Sequence, residues 1–157
     1  MRYKSKEKKI KDMERGRVAE QAYARTYRSV SWPTNEQDCK EHWDVMVNYH
    51  DYLEPDTKVD VKAIKKNNEN IHFIELKNVM GEKGWLYGDA DMFAFETNKY
   101  WVEVTKERLQ NFIAMVCKDK VYGRELYQLG SRPNAEDLFT TVSTLDLCRI
   151  GSMRDKV

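Results

Sequence analysis

Residues 58–65, KVDVKAIK, alternate apolar and charged side chains almost without interruption. Successive side chains on a strand leave opposite faces. Val59, Val61 and Ala63 therefore share one face, and Asp60, Lys62 and Ile64 share the other. If the apolar face enters a core, an aspartate and a lysine leave the opposite face two residues apart on an interior strand. Residues 71–78, IHFIELKN, repeat the spacing with Glu75 and Lys77. The polar run 66–70, KNNEN, has turn composition, so 58–78 is predicted to be a β-hairpin. A further strand over 42–48, HWDVMVN, puts Val45 and Val47 on one face and Asp44 at its head.

Other elements follow from the same kind of pattern. Helical spacing runs from about Ser5, a good N-cap, to Arg28, with Ala19, Ala22, Tyr23, Thr26 and Val30 toward a core. Gly16 weakens the middle of that helix and admits a kink. Residues 28–32 read as a short strand stopped by Pro33, 34–41 as a polar loop or turn, and 49–57 as a loop. A glycine-spaced loop, GEKGWLYG, occupies 81–88. Residues 90–97 and 99–104 predict a hairpin turning at Asn98. Thr105 can cap a helix to about Cys117, with Leu109, Phe112, Ile113 and Val116 on one face. Residues 118–137 give a weak hairpin or loop, and 138–142 a last strand. Ser143 can cap a short final helix, with Asp146 in the capping-box position. The expected fold class is α/β (mixed α+β), a central mixed sheet flanked by helices, in one domain over 1–157.

Composition narrows the function classes. No stretch approaches the ~18 apolar residues of a spanning helix, so no membrane partner is expected. Cys39, Cys117 and Cys148 are widely spaced with no CxxC pair, and the basic start leads into no apolar run. The expectation is an intracellular, cytoplasmic chain with reduced thiols. His42, His50 and His72 show no zinc spacing. Residues 1–17 hold eight basic and three acidic side chains, a local +5 on a chain whose net charge is +1. Lys8, Lys9, Lys11, Arg15 and Arg17 read either as a solvated helix face or as a phosphate-binding arm, which Lys65 and Lys66 would extend.

Charged side chains on interior strands must be kept apart, paired, or bridged by a cation. Two or three carboxylates converging beside one lysine suit Mg²⁺-dependent phosphodiester chemistry. Hard oxygen donors hold Mg²⁺ (or Mn²⁺), and the ion keeps positions for water and phosphate. A lysine there can orient water and offset charge developing on phosphorus.

An Asp heading one strand, a D-x-K on the next, and a Glu on a preceding helix resemble the PD-(D/E)XK nuclease superfamily. The matching pieces are Glu20, Asp44 in HWD, and Asp60-Val61-Lys62. The segments ADMFAFE and YWVEVTKERL are similar to its phage-type, resolvase-like and intron-encoded endonucleases. The resemblance covers about residues 16–113. It implies a restriction-endonuclease-like sheet, a metal held by Asp44 and Asp60, a catalytic Lys62, and Glu20 near the metal. The chain departs from the motif in lacking the proline and in placing Asp where Glu is commoner. A second alignment takes Asp60 with Glu75-x-Lys77, making Glu75 a metal ligand and Lys77 the catalytic lysine. Both stay open, because a hairpin pairing 60 with 77 and 62 with 75 would bring all four charges to one face. As plain chemistry, Glu75 and Lys77 would be cross-strand ion-pair partners.

The resemblance implies DNA as partner and, since a duplex has two strands, a C2 homodimer as the simplest assembly. The rival reading is a nucleic-acid-binding module of the same fold that does not cut, which the near-neutral charge favours. GEKGWLYG lacks the GK[ST] ending of a phosphate-binding P-loop. Its Trp85 and Tyr87 either plug the edge of a core or stack on exposed bases.

Overall fold

Ser5 accepts a hydrogen bond from the Lys8 N–H and starts α1, Lys6–Ala24, which passes through Gly16 as one helix. In the computed structural model the described residues are 5–48, 56–65, 68–117 and 126–156. The chain continues through β1 (Val30–Ser31), α2 (Asn35–Glu41), β2 (Val45–Val47), β3 (Thr57–Lys62) and β4 (Ile71–Lys77). Then come a 3-10 turn (Trp85–Tyr87), β5 (Met92–Glu96), β6 (Tyr100–Thr105), α3 (Lys106–Val116), β7 (Leu138–Ser143), α4 (Thr144–Ile150) and β8 (Ser152–Asp155).

The fold is a mixed α/β arrangement. One six-stranded sheet has the order β1-β2-β3-β5-β6-β8, and β4 and β7 form a separate two-stranded sheet. All pairs are antiparallel except β3 with β5, where Asp60 lies beside Phe93 and Lys62 beside Phe95. The chain therefore crosses over between β3 and β5, and β4 lies within that crossover.

The predicted 58–78 hairpin is thus corrected. β4 pairs with β7, not with β3. The edge of β3 is taken by β5, whose Met92, Phe93, Ala94 and Phe95 are all buried and need cover on both faces. β4 alternates buried His72 and Ile74 with half-buried Phe73 and Glu75, which suits a ribbon covered on one side. Asn35–Glu41 form a helix within 34–41, where a loop or turn was expected. Thr34 and Gln37 close a reciprocal capping box, and none of the helix residues is buried, so no apolar period marks it. β8 was not foreseen either; its four residues are mostly exposed.

The sheet separates two cores. On one side α1 lays Ala19 and Tyr23 over Val45, Val59, Val61, Ala94 and Trp101. On the other, Ile74, Trp85, Leu86, Phe93, Phe95, Leu109, Ile113 and Leu147 pack together beneath the β4–β7 ribbon, α3 and α4. Val59, Val61 and Ala63 do share the α1 side, and Asp60 and Lys62 take the other. The end of α1 is bolted to the sheet. The Tyr23 and Tyr27 hydroxyls both donate to Glu103 on β6. Arg154 on β8 stacks on the Tyr27 ring at 3.7 Å and donates to Thr26 Oγ1 at 2.8 Å. Among the described residues, no helix is long and apolar enough to cross a membrane.

Candidate active site

Asp44 stands just ahead of β2, and its main-chain N–H donates to the Val59 carbonyl at 2.8 Å. Its side chain turns back over β3, where Oδ2 accepts the Val61 N–H at 2.7 Å. That bond places the Asp44 carboxylate beside Asp60. The Asp60 side chain is almost fully buried, with Val59 and Val61 in the core on either side of it. Lys62, next on the same face, brings Nζ to 2.9 Å from Asp60 Oδ2. The approach is close, yet this buried oxygen has no aligned hydrogen-bond donor.

Glu20 completes the cluster from α1. It lies one residue after buried Ala19 and three before Tyr23, so the clamp on Tyr23 also fixes Glu20 beside Asp44. Burial, then the neighbouring Asp44, push the Glu20 carboxyl up to about 7; Asp38 on α2 adds to the rise and Arg17 opposes it. Burial and then Asp60 push Asp44 up to about 8, against the Val61 N–H, which favours the ionised form. Burial also raises Asp60, while Lys62 and the bond from Asp44 hold it down. The bond between the two aspartates raises Asp44 and lowers Asp60, so the two carboxyls titrate as a pair. Three carboxyl groups beside one lysine carry more negative charge than the lysine balances, and protons make up the difference.

The expected metal can be tested against this donor set. Among the described residues, no group of three or more His, Cys, Asp or Glu side chains is arranged to hold a metal ion. Mg²⁺ does not need one, because it commonly binds through one or two carboxylates and takes water and substrate phosphate for the rest. Asp44 and Asp60 fit that pattern: hard oxygen donors, carboxyl pKa values raised chiefly by burial, and a buried Asp60 oxygen whose close partner is the Lys62 ammonium.

Of the sequence-predicted site residues, Glu20, Asp44, Asp60 and Lys62 come together. Glu75 and Lys77 lie on β4 in the other sheet, with an irregularity in the ladder between them. Among the described residues no ion pair joins either to Asp60 or Lys62, and the expected shared face does not form. Lys8, Lys9, Lys11, Arg15 and Arg17 are exposed on α1, as is Lys65 after β3; Lys66 lies outside the described residues.

The site also contains a residue whose contact the sequence did not reveal. Trp85 is buried against Phe93 and Phe95, and the Lys62 ammonium lies 4.1 Å from its ring centroid. The glycines at 84 and 88 were the available signal. The Gly84 N–H donates to the Leu76 carbonyl, and a Cβ at Gly84 would meet the Glu75 carbonyl oxygen at 2.5 Å. A Cβ at Gly88 would meet His42 Cβ at 3.0 Å. The loop is a wedge between β4 and the end of α2, which agrees with the core-plug reading of Trp85. Tyr87, by contrast, is exposed. No family model, curated protein or solved structure matches the chain.

Proposed function

We propose that the chain is a metal-dependent DNA endonuclease of the PD-(D/E)XK type, hydrolysing phosphodiester bonds at the Glu20–Asp44–Asp60–Lys62 cluster. One observation carries this reading: an ionisable lysine paired with a buried aspartate, beside two more carboxyls whose pKa values burial and mutual repulsion raise. Such a surplus of carboxyls is costly to a fold and useful to phosphoryl chemistry.

Asp44 and Asp60 would hold Mg²⁺ or Mn²⁺, which when bound polarises a phosphoryl oxygen and acidifies a water. The chain's own residues do the rest. The Val61 N–H fixes the Asp44 carboxylate. Glu20 lies beside Asp44, whose charge helps to raise the Glu20 carboxyl, and would add a third acidic group to the site. Lys62 supplies a cation toward the phosphate and the attacking water. The exposed basic side chains of α1 and Lys65 would contact phosphates, which orient a duplex without reading its sequence. A C2 homodimer would present two such clusters to two strands.

The test is incubation of purified protein with labelled duplex, single-stranded and four-way-junction DNA in Mg²⁺, Mn²⁺ or EDTA. Cutting in metal and none in EDTA is expected. Salt-sensitive binding without cutting would replace this reading with the non-cutting module; neither cutting nor binding would remove both.

A further inference from the structure

The glycine-spaced loop holds one side chain that the proposed chemistry has not used. Trp85 is 9% exposed, packed at a tilt against Phe93 with ring centroids 5.1 Å apart, and turned so that a ring face carries the Lys62 ammonium. Lys62 itself has a side chain 24% exposed, so its head lies between a buried carboxylate on one side and an aromatic face on the other. A lysine side chain has four rotatable bonds and loses much freedom when its head must stay in one place. The Asp60 pair constrains one direction but is poorly aligned. The aromatic face constrains a second by attracting the cation to the ring.

The wedge makes that face rigid. Four separate contacts fix the loop: Gly84 N–H to the Leu76 carbonyl at 2.9 Å, Asp89 N–H to the Glu41 carbonyl at 2.9 Å, Gln110 Nε2 to the Leu86 carbonyl at 2.9 Å, and the Gly84 backbone against that of Glu75. Lys62 is thus supported by elements that come from β4, α2 and α3, not merely by its own strand.

We propose that Trp85 is a positioning residue for Lys62: it holds the ammonium in place and aimed at the substrate phosphate, and the GWLYG loop serves to seat it. This rests on the endonuclease reading, since Lys62 has a reaction to serve only there. Trp85 touches the lysine and is assigned no contact with DNA. Its loss should therefore change turnover and not substrate affinity, and a positional loss near the reacting atoms can reach about 100-fold.

The test combines two readouts on wild type, Trp85→Leu and Trp85→Phe. In carbon–proton spectra the Lys62 ε-methylene, identified by its absence in Lys62→Arg, should be shifted upfield by the indole ring. The shift should vanish in Trp85→Leu and partly return in Trp85→Phe. In Mg²⁺-dependent cleavage, kcat should fall about 10- to 100-fold in Trp85→Leu with KM unchanged, and recover to within about 3-fold of wild type in Trp85→Phe. Thermal melting confirms that each variant is folded, and Trp85→Phe keeps the comparison available should the leucine variant fail to fold. Wild-type kcat in a folded Trp85→Leu, or an unshifted ε-methylene in wild type, overturns the positioning role. A shifted methylene in a wild type that cuts no DNA overturns the endonuclease reading and leaves the contact as part of the fold.

Discussion

The Asp44 carboxylate accepts the main-chain N–H of Val61 at 2.7 Å, a bond that links the head of β2 to the middle residue of D-V-K. The lone acidic residue of one strand is thereby held against the charged pair of the next. The N–H of Val61 does not depend on its side chain, so the clamp belongs to the backbone. Asp44→Asn keeps a carbonyl oxygen for this bond while removing the ionisable carboxyl; Asp44→Ala removes both. We expect both variants to lose cleavage by at least about 100-fold. The alanine variant should also lose about 1–3 kcal/mol of stability, the cost of leaving a buried donor unmatched. Denaturant unfolding of the two variants separates the effects.

Raised carboxyl pKa values set the sign of the pH response. Glu20 and Asp44 rise in the fold to about 7 and about 8, so the folded chain keeps protons that the unfolded chain has released. Their contribution to stability is whole below about pH 4 and is lost as pH climbs through about 7 to 8. Without metal, Tm should fall between pH 5 and pH 8.5. The fall should be smaller in Asp44→Asn and smaller again when Mg²⁺ is added. Because the ion must displace protons, half-saturating Mg²⁺ should drop as pH rises over the same window. A Tm that rises with pH in the absence of metal would contradict this account of the cluster.

The two lysines discriminate between the two alignments. Lys62 pairs with Asp60, whereas Lys77 lies on a strand of the other sheet. Lys62→Ala should abolish cleavage, and Lys77→Ala should keep most of it. The reverse pattern in rate assays would restore the Glu75-x-Lys77 alignment.

Much of this arrangement was readable from residues 58–62, because strict alternation of apolar and charged residues over a strand leaves few alternatives. The hairpin of 90–104, the Thr105 cap and the Ser143 cap were equally legible, each being written in a short local signal. The pairing of β4 was not. Local pattern says which residues lie on a strand face, but the partner is chosen by competition, and β5 offers β3 two apolar faces where β4 offers one. α2 was illegible for another reason: a helix that buries nothing leaves no periodicity, and its capping box was the sole cue. Glu20 was placed by the clamp of Tyr23 and Tyr27 on Glu103, a contact some eighty residues away in sequence that no spacing encodes.

The basic helix α1 gives a prediction separate from the chemistry. Lys8, Lys9 and Lys11 are exposed and far in sequence from Glu20. If all three meet phosphates, changing them together to alanine should weaken DNA binding alike for every sequence. It should also reduce the slope of log affinity against log salt by about 2 to 3. The melting temperature should hardly move. An unchanged slope in binding titrations would remove α1 from the DNA interface.

Gly84 tests the wedge. A Cβ there would lie 2.5 Å from the Glu75 carbonyl oxygen and 2.8 Å from Glu75 Cγ, so Gly84→Ala must push the loop off β4. A loss of about 1–3 kcal/mol is expected from such overpacking. Gly16→Ala is the control, since its Cβ would meet nothing within 4 Å and a helix favours alanine. Equal stability of the two variants in denaturant melts would mean that the loop is not wedged.

The most direct measurement is the Mg²⁺-dependent cleavage rate of wild type against Asp60→Asn, with folding of both checked by near-ultraviolet circular dichroism. Asp60 is the residue that both alignments share, it is buried, and it pairs with Lys62. A metal-dependent rate in wild type that falls at least about 1000-fold in a folded Asp60→Asn is the predicted result. Undiminished cutting by Asp60→Asn, or equal cutting in EDTA, would contradict the assignment of this cluster as a phosphodiesterase site.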